Sequence, residues 1–516
     1  MFASSEILSK KFAVNMRIKQ LNYKFIGKII GFLIILEGLL MAVSLVFSFI
    51  YGSRRMNWNT LFNSEHDILA ITLSAIITIV FGVILLFKYK KADTKQIGKR
   101  EAYLTVFLCW FFLALFGVLP YIFTGIFNSF TDAFFESMSG FTTTGFSLIK
   151  DVETLPKGII LWRSITNWLG GMGMVFMTLA FIPVVGGKGG LLFAAETSNE
   201  VHDKVHPRIN VTAKRLWTIY FMLTLACFGM LLLGKMSIYD SVCTALSTVS
   251  TGGFSHRNAG LADQSPYIHY VIIVFIIIAA TSFNLHYLFL RFQWKKVFKN
   301  EEFRVYMLLI ILCTVFVVAI LALNNNSGQD AETIFRQSLF HVSSMITTAG
   351  FAISDYSLWP GNIWIILFLL TFMGGCAGST TGGIKIYRHI IMFKNCKMEL
   401  KRLLHPQAVI PVRYNGNAVS QNTINNTLAF FYFFILITFF ASAIICLSGI
   451  DFMSAISVTV NCLSNTGSGI GSLAGPGGDI NIVHGSIKWL LSFLMITGRL
   501  EIFTVFVILN KTFWKK

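Results

Sequence analysis

Four short stretches carry the residues whose types and spacing suggest chemistry: Phe141–Ser147 (FTTTGFS), Ser250–Ser255 (STGGFS), Thr347–Phe351 (TTAGF) and Ser464–Gly469 (SNTGSG). Their key glycines, Gly145, Gly253, Gly350 and Gly467, are separated by 108, 97 and 117 residues. Copies at roughly even spacing imply four repeats around one axis. Each copy interrupts apolar sequence, and non-helical backbone at membrane depth is tolerated only where protein buries it or where it lines a watery path. Four such loops in a ring offer stacked carbonyl oxygens that replace the hydration shell of a monovalent cation. The chemistry expected is cation passage through a single chain, with no bond made or broken.

The elements that must hold these loops are legible from composition. The chain has 516 residues, 55% hydrophobic and 13% charged, with 50 phenylalanines. Soluble proteins carry about 25% charged residues, so an ordinary soluble enzyme is excluded in favour of a polytopic helical membrane protein. The net charge of +18 falls in alternate connections, as the positive-inside rule predicts. Basic aromatic platforms are absent, which argues against nucleic acid. The eight cysteines show no metal-ligand spacing and read as small packed hydrophobes.

The expected fold is an all-α polytopic membrane protein: an extra N-terminal transmembrane hairpin, then four span–pore-helix–span repeats with K+-channel-like pseudo-fourfold symmetry. Residues 1–100 form a basic tail (Lys10, Lys11, Arg17, Lys19, Lys24, Lys28) and a hairpin of spans over Phe25–Tyr51 and Asp67–Phe87. Repeat one covers 101–212, repeat two 213–300, repeat three 301–415 and repeat four 416–516. Within them, spans are expected at Tyr103–Phe127, Leu155–Val185, Leu216–Leu233, Tyr267–Leu290, Phe303–Leu323, Thr427–Leu447 and Val483–Leu509, and a short helix at Thr131–Gly140. Asp132 and Asp240 each lie 13 residues before their glycine, placed to cap a short pore helix. Gln337 and Ser454 hold that position in the other two repeats. A helix so aimed turns its negative C-terminal end to the loop and favours a cation. Ten spans put both termini on the basic, cytoplasmic side and all four loops near the opposite face.

One span is interrupted. Trp364–Met373 is followed by GGCAGSTTGG (Gly374–Gly383), five glycines in ten residues, each costing about 1 kcal/mol in a helix relative to Ala. Either the helix breaks into a mobile loop that acts as a gate, or small residues let helices pack closely. Arg499 and Glu501 lie in the last apolar span, where ionisable residues are functional candidates. Arg499 reads as a pore-facing charge beneath the loops, restraining the glycine-rich stretch, or as half of a structural ion pair. Glu136 and Arg163 are expected to pair behind the loops. His286, beside Asn284, reads as a buried, hydrogen-bonded side chain. Gly186–Gly190 lacks the Gly-Lys-Ser/Thr ending of a phosphate loop, and His202 and His206 lack completing metal ligands.

The strings LWRSITNWLGGMGM (161–174), HPRINVTAKRLW (206–217), STVSTGGFS (247–255), GGCAGSTTGGIK (374–385) and GRLEIFTVFVILNKTFW (498–514) resemble the TrkH/TrkG potassium-uptake subunits of bacteria, in the superfamily that also holds KtrB and the plant HKT transporters. The extra hairpin resembles the Trk type. The resemblance implies a K+-selective subunit of the bacterial inner membrane, working as a homodimer among membrane lipids. It also implies gating by a cytoplasmic TrkA-like ring that binds nucleotide, with no cofactor on this chain and K+ as the transported ion. It assigns filter ligands to the two residues before each key glycine: Thr143 and Thr144, Thr251 and Gly252, Thr348 and Ala349, Asn465 and Thr466. It assigns the gating loop to Gly374, Gly375, Gly378, Ser379, Thr380, Gly382, Gly383 and Lys385, and the pore charge to Arg499. Gly145 supports K+, because relatives that favour Na+ carry serine there. The adjacent Gly252 and Gly253 leave the second loop's register open.

No catalytic constellation emerges. A Na+-permeable or Na+/H+-coupled member of the same class remains as the first alternative. A non-transporting membrane sensor or assembly protein is the second, and it leaves four costly membrane loops without a purpose.

Overall fold

The structure, a computed structural model, describes residues 21–51, 67–92, 98–173, 209–324, 328–408 and 410–515. The basic tail before residue 21, Gly186–Gly190, His202 and His206 lie outside the described residues, as does the end of the span expected to reach Val185.

Long apolar runs make long helices, because a backbone removed from water must bond to itself. The N-terminal hairpin is α1 (Tyr23–Tyr51) and α2 (Asp67–Lys88). Repeat one contributes α3 (Lys99–Gly117, with a one-turn continuation at Leu119–Phe123), α4 (Phe130–Phe141) and α5 (Lys157–Gly171). Repeat two has α6 (Ile209–Leu233), α7 (Ile238–Val249), α8 (Pro266–Ala279) and α9 (Phe283–Leu290). Repeat three has α10 (Glu301–Leu323), α11 (Ala331–Ile346), α12 (Gly361–Phe372) and α13 (Ile386–Leu404). Repeat four has α14 (Gln421–Cys446), α15 (Phe452–Ser464), α16 (Gly485–Arg499) and α17 (Phe503–Leu509). A two-stranded hairpin, β1 (Arg413–Tyr414) and β2 (Asn417–Ala418), joins repeats three and four.

Among the described residues, six helices are long and apolar enough to cross a bilayer. Their outer faces stay apolar: Leu308, Ile311, Val315 and Phe316 on α10, and Tyr432, Ile435, Phe439 and Phe440 on α14, are each more than half exposed. The short helices α4, α7, α11 and α15 have C-terminal halves that are almost wholly buried in protein.

Two spans expected to be continuous are not. The second span of repeat two bends by 102° between α8 and α9, and that of repeat four by 116° between α16 and α17. The breaks fall at Ala280–Ser282 and at Leu500–Ile502, where Glu501 and Ile502 have φ of 54° and 40°. Apolar composition reports a span's length and says nothing of a bend whose freed amides find partners elsewhere. The interruption at Gly374–Gly383 is a true helix break, flanked by α12 and α13.

Asp132 is not the cap of α4. It stands one turn inside a helix that follows Ser129 and pairs with Lys488 at 2.7 Å. Caps lie earlier in two other repeats: Ser237 accepts from the Asp240 amide, and Asp451 from the Ser454 amide. Asp240 pairs instead with Arg257 at 2.8 Å. In repeat three α11 begins at Ala331, so Gln337 sits mid-helix.

The hairpin α1–α2 closes through glycine. A Cβ added to Gly82 would stand 2.7 Å from the Gly31 carbonyl oxygen, and one on Gly31 2.9 Å from that of Gly82. Helices in lipid associate through such small-residue contacts, with no water to drive them together. Ser48 donates to Asp67 at 2.8 Å where the hairpin meets α5 at Gly158. Gly82→Val must push the two helices apart, and overpacking of this kind costs about 1–3 kcal/mol. The expected result is a lower thermal-unfolding midpoint in detergent.

Candidate functional site

All four short helices end alike. The amides of Thr143, Thr251, Thr348 and Asn465 donate to the carbonyls of Gly140, Thr248, Met345 and Cys462 at 3.0, 3.1, 3.1 and 3.4 Å. The next amides, of Thr144, Gly252, Ala349 and Thr466, donate five residues back to Ser139, Ser247, Ser344 and Asn461 at 2.9, 2.9, 2.9 and 2.8 Å. This pair of bonds is a Schellman closure, whose left-handed position is usually glycine. Here that position is Thr, Thr, Thr and Asn, at φ of 55°, 52°, 53° and 54°. A left-handed backbone costs a residue with a Cβ roughly 1–2 kcal/mol. Such strain persists only where the surroundings over-determine it.

The same alignment settles the backbone register of the second loop. Thr251 shares its conformation with Thr143 and Thr348, so Gly253 is the counterpart of Gly145 and Gly350. These three glycines have φ of 75°, 85° and 71° respectively; Gly467 lacks a positive φ, so the fourth loop differs in backbone as well as in sequence.

The loops close on one another in chain order. A Cβ on Gly145 would lie 2.5 Å from the Gly252 carbonyl oxygen, one on Gly253 2.6 Å from that of Ala349, and one on Gly350 2.7 Å from the Gly467 amide nitrogen. A Cβ on Gly467 would lie 2.6 Å from the Thr144 carbonyl oxygen, so repeat four returns to repeat one. Every one of these neighbours is backbone and cannot swing aside. The ring brings together all eight residues assigned as ligands with their four glycines.

Outside the ring, Glu136 and Arg163 are buried and pair at 2.9 Å. Glu136 also accepts from the Ser147 hydroxyl and the Leu148 amide, and Arg163 donates to the Ser255 carbonyl in the second loop. Ser139 and Ser344 donate to the carbonyls of Phe146 and Phe351, just past their glycines, at 2.6 and 2.7 Å. Tyr356 donates to the Gly469 carbonyl at 2.6 Å and so ties the third loop to the fourth. His286 is bonded to the Ile278 carbonyl at 3.0 Å and supports the bend between α8 and α9.

The glycine-rich loop lies against the other side of the ring. Thr380 and Thr251 hydroxyls are 3.3 Å apart, the Gly382 amide donates to the Thr348 hydroxyl at 2.9 Å, and Gly382 abuts Ser464 and Asn465. Arg499 completes the set: it donates to the Thr143 hydroxyl at 3.2 Å and to the Thr380 carbonyl at 2.9 Å. It also bonds the carbonyls of Gly170 and Gly171. The loop thus meets all four left-handed residues, directly or through Arg499. It is itself bonded across the bend in repeat two, Cys376 amide to Ala280 carbonyl at 2.9 Å and Phe283 amide to Gly378 carbonyl at 3.0 Å. Lys385 donates to Thr381 within the loop. Glu501 pairs with Arg388 of α13 at 2.5 Å.

Sequence reasoning missed the bends, the β-hairpin and Lys488. The Asn415-Gly416 pair was the available signal for the hairpin, since two-residue type I′ turns take that dipeptide.

A helical chain with several bilayer-length spans and a closed ring of four loops defines a multi-pass membrane transport protein. The family model TrkH, cation transport protein, matches residues 67–515. The chain is 34% identical over 506 residues to the Trk system potassium uptake protein TrkH of Salmonella typhimurium (strain LT2), covering 96% of this chain and 100% of that one. It is 37% identical over 431 residues to TrkH of Vibrio parahaemolyticus, covering 81% and 87%. It is 32% identical over 462 residues to TrkG of Escherichia coli (strain K12), covering 88% and 93%. The crystal structure of the potassium transporter TrkH from Vibrio parahaemolyticus matches with a TM-score of 0.83 at 32% identity, over 96% of this chain and 100% of that one. The chain belongs to the TrkH family of cation transport proteins.

Arg163→Met leaves the Glu136 carboxylate buried without its partner, a change that typically costs about 3–5 kcal/mol. The variant is expected to unfold at a markedly lower temperature in detergent and to discriminate poorly between cations in liposome flux.

Proposed function

We propose that this chain is the conduction subunit of a potassium-uptake system in the bacterial inner membrane, with both termini cytoplasmic. The observation that carries the reading is the closed contact of Gly145, Gly253, Gly350 and Gly467 with the backbone of the next repeat. Carbonyls held on strained, over-determined caps act as a rigid substitute for the hydration shell of K+. Thr143, Thr144, Thr251, Gly252, Thr348, Ala349, Asn465 and Thr466 supply that shell. The names of the relatives, potassium uptake proteins, support the choice of ion. Inward movement is driven by the membrane potential, worth roughly 2.3 kcal/mol per charge at 100 mV.

The loop of residues 374–383 is the gate, and Arg499 holds it against the ring while placing positive charge on the cation's route. The subunit works as a homodimer under a nucleotide-binding TrkA-like ring.

The test is K+ against Na+ flux into liposomes containing the purified chain, beside Gly145→Ser. Serine at φ 85° would bring a Cβ 2.5 Å from the Gly252 oxygen. Strain of about 1–3 kcal/mol is expected to distort the ring and lower K+ preference by about tenfold, at 1.4 kcal/mol per decade. Equal K+ and Na+ flux in the unmodified protein overturns K+ selectivity and leaves a cation path. No flux, with the regulator and its nucleotide also present, overturns transport. Arg499→Ala removes both the charge and the tie to Thr380, so its basal flux is expected to rise.

A further inference from the structure

Glu302, at the start of α10, has no part in the ring, yet it joins three elements. It is 5% exposed. Its Oε1 accepts from the amide of Ala377, in the glycine-rich loop, at 2.7 Å, and from the amide of Tyr387, at the start of α13, at 3.2 Å. Its Oε2 accepts from the Tyr414 hydroxyl of the β-hairpin at 3.4 Å. The hairpin is anchored to the same helix end: the Glu301 amide donates to the Asn415 side-chain oxygen at 2.8 Å, and Lys394 of α13 reaches both Glu301, at 2.5 Å, and the Arg413 carbonyl, at 2.9 Å.

The hairpin has little of its own to hold it, two residues per strand and a tight turn. Asn415 and Gly416 have φ of 47° and 82°, as a type I′ turn requires. Isolated two-stranded hairpins are marginal in water, so its position depends on these contacts. It follows the basic stretch Lys394–Arg413 and so lies on the side the positive-inside rule assigns to the cytoplasm.

We propose that Glu302 is a positioning residue, a latch through which the cytoplasmic β-hairpin sets the position of the glycine-rich loop beneath the ring. One carboxylate oxygen holds the loop and the other holds the hairpin. A pull on the hairpin withdraws Tyr414 from the carboxylate, loosens the hold on the Ala377 amide, and frees the loop to leave Thr251 and Thr348. This inference rests on the reading of the loop as a gate.

The experiment uses the full chain in liposomes without any regulator, comparing Tyr414→Phe and Glu302→Gln with the unmodified protein. Two quantities are read: K+ flux, and alkylation of Cys376, a native loop cysteine that is 0% exposed, followed by mass spectrometry of its peptide. Loss of one hydrogen bond is expected to raise both by about two- to tenfold. K+ preference over Na+ is expected to stay unchanged, because the ring is untouched; a merely structural defect would lose preference together with flux. Should Glu302→Gln fail to fold, Tyr414→Phe, which deletes a single hydroxyl, carries the test. Deletion of residues 377–380 separates the two claims. If the deletion raises flux while Tyr414→Phe moves neither flux nor Cys376 alkylation, the latch is wrong and the gate stands. If the deletion leaves flux unchanged, the gate fails and the latch falls with it.

Discussion

A peptide amide inside a membrane has no water to fall back on, and the whole molecule is arranged around that constraint. Each of the four short helices stops at membrane depth, and each stop frees backbone groups that must be bonded again. The solution is the same four times: two amides fold back onto the last turn, through a residue forced into the left-handed region. Threonine is a poor choice for that conformation, and it persists because neighbours leave the backbone nowhere else to go. The glycines that follow are needed because the next repeat's backbone fills the space of a side chain.

The two sides of the ring are held differently. On the outer side the hold is ionic and buried: Arg163 and Glu136, with Ser147, Leu148 and Ser255 attached to them. Breaking a buried pair leaves an uncompensated charge, so this support resists movement. On the other side the glycine-rich loop is held mainly by single hydrogen bonds to hydroxyls and carbonyls, at Thr251, Thr348, Thr380 and Ala280. Such bonds contribute only about 0.5–1.5 kcal/mol net each. A rigid ring above a weakly held loop suits the proposed division between selection and gating.

Bends extend this logic. The second spans of repeats two, three and four are all broken at the level of the loop, and the breaks satisfy one another: Ala280 and Phe283 bond to the glycine-rich loop, while Arg499, at the end of α16, bonds to Thr380. Arg388 closes the arrangement, paired with Glu501 and set 3.8 Å over the Phe430 ring. Irregular backbone is thus concentrated in one layer, where each segment supplies partners for the others.

Much of this was legible in the chain. Hydropathy marked the helices, because a bilayer sets their length. Recurrence of threonine and glycine marked the four loops, and Gly374–Gly383 marked one break, because five glycines do not sustain a helix. The pairing of Glu136 with Arg163 followed from the cost of leaving either alone. Other features are properties of contact and have no local signature. Ile502 and Glu501 look helical until Arg388 and the loop are placed beside them, and Asp132 looks like a cap until Lys488 arrives from 356 residues away. By itself the sequence determined which segments enter the membrane and where the backbone must leave the helix, since both depend on neighbouring residues along the chain. Only the tertiary structure decided which glycine meets which carbonyl, how the loop engages the ring and how Glu302 joins loop to hairpin, because those depend on atoms that the fold brings together from distant repeats.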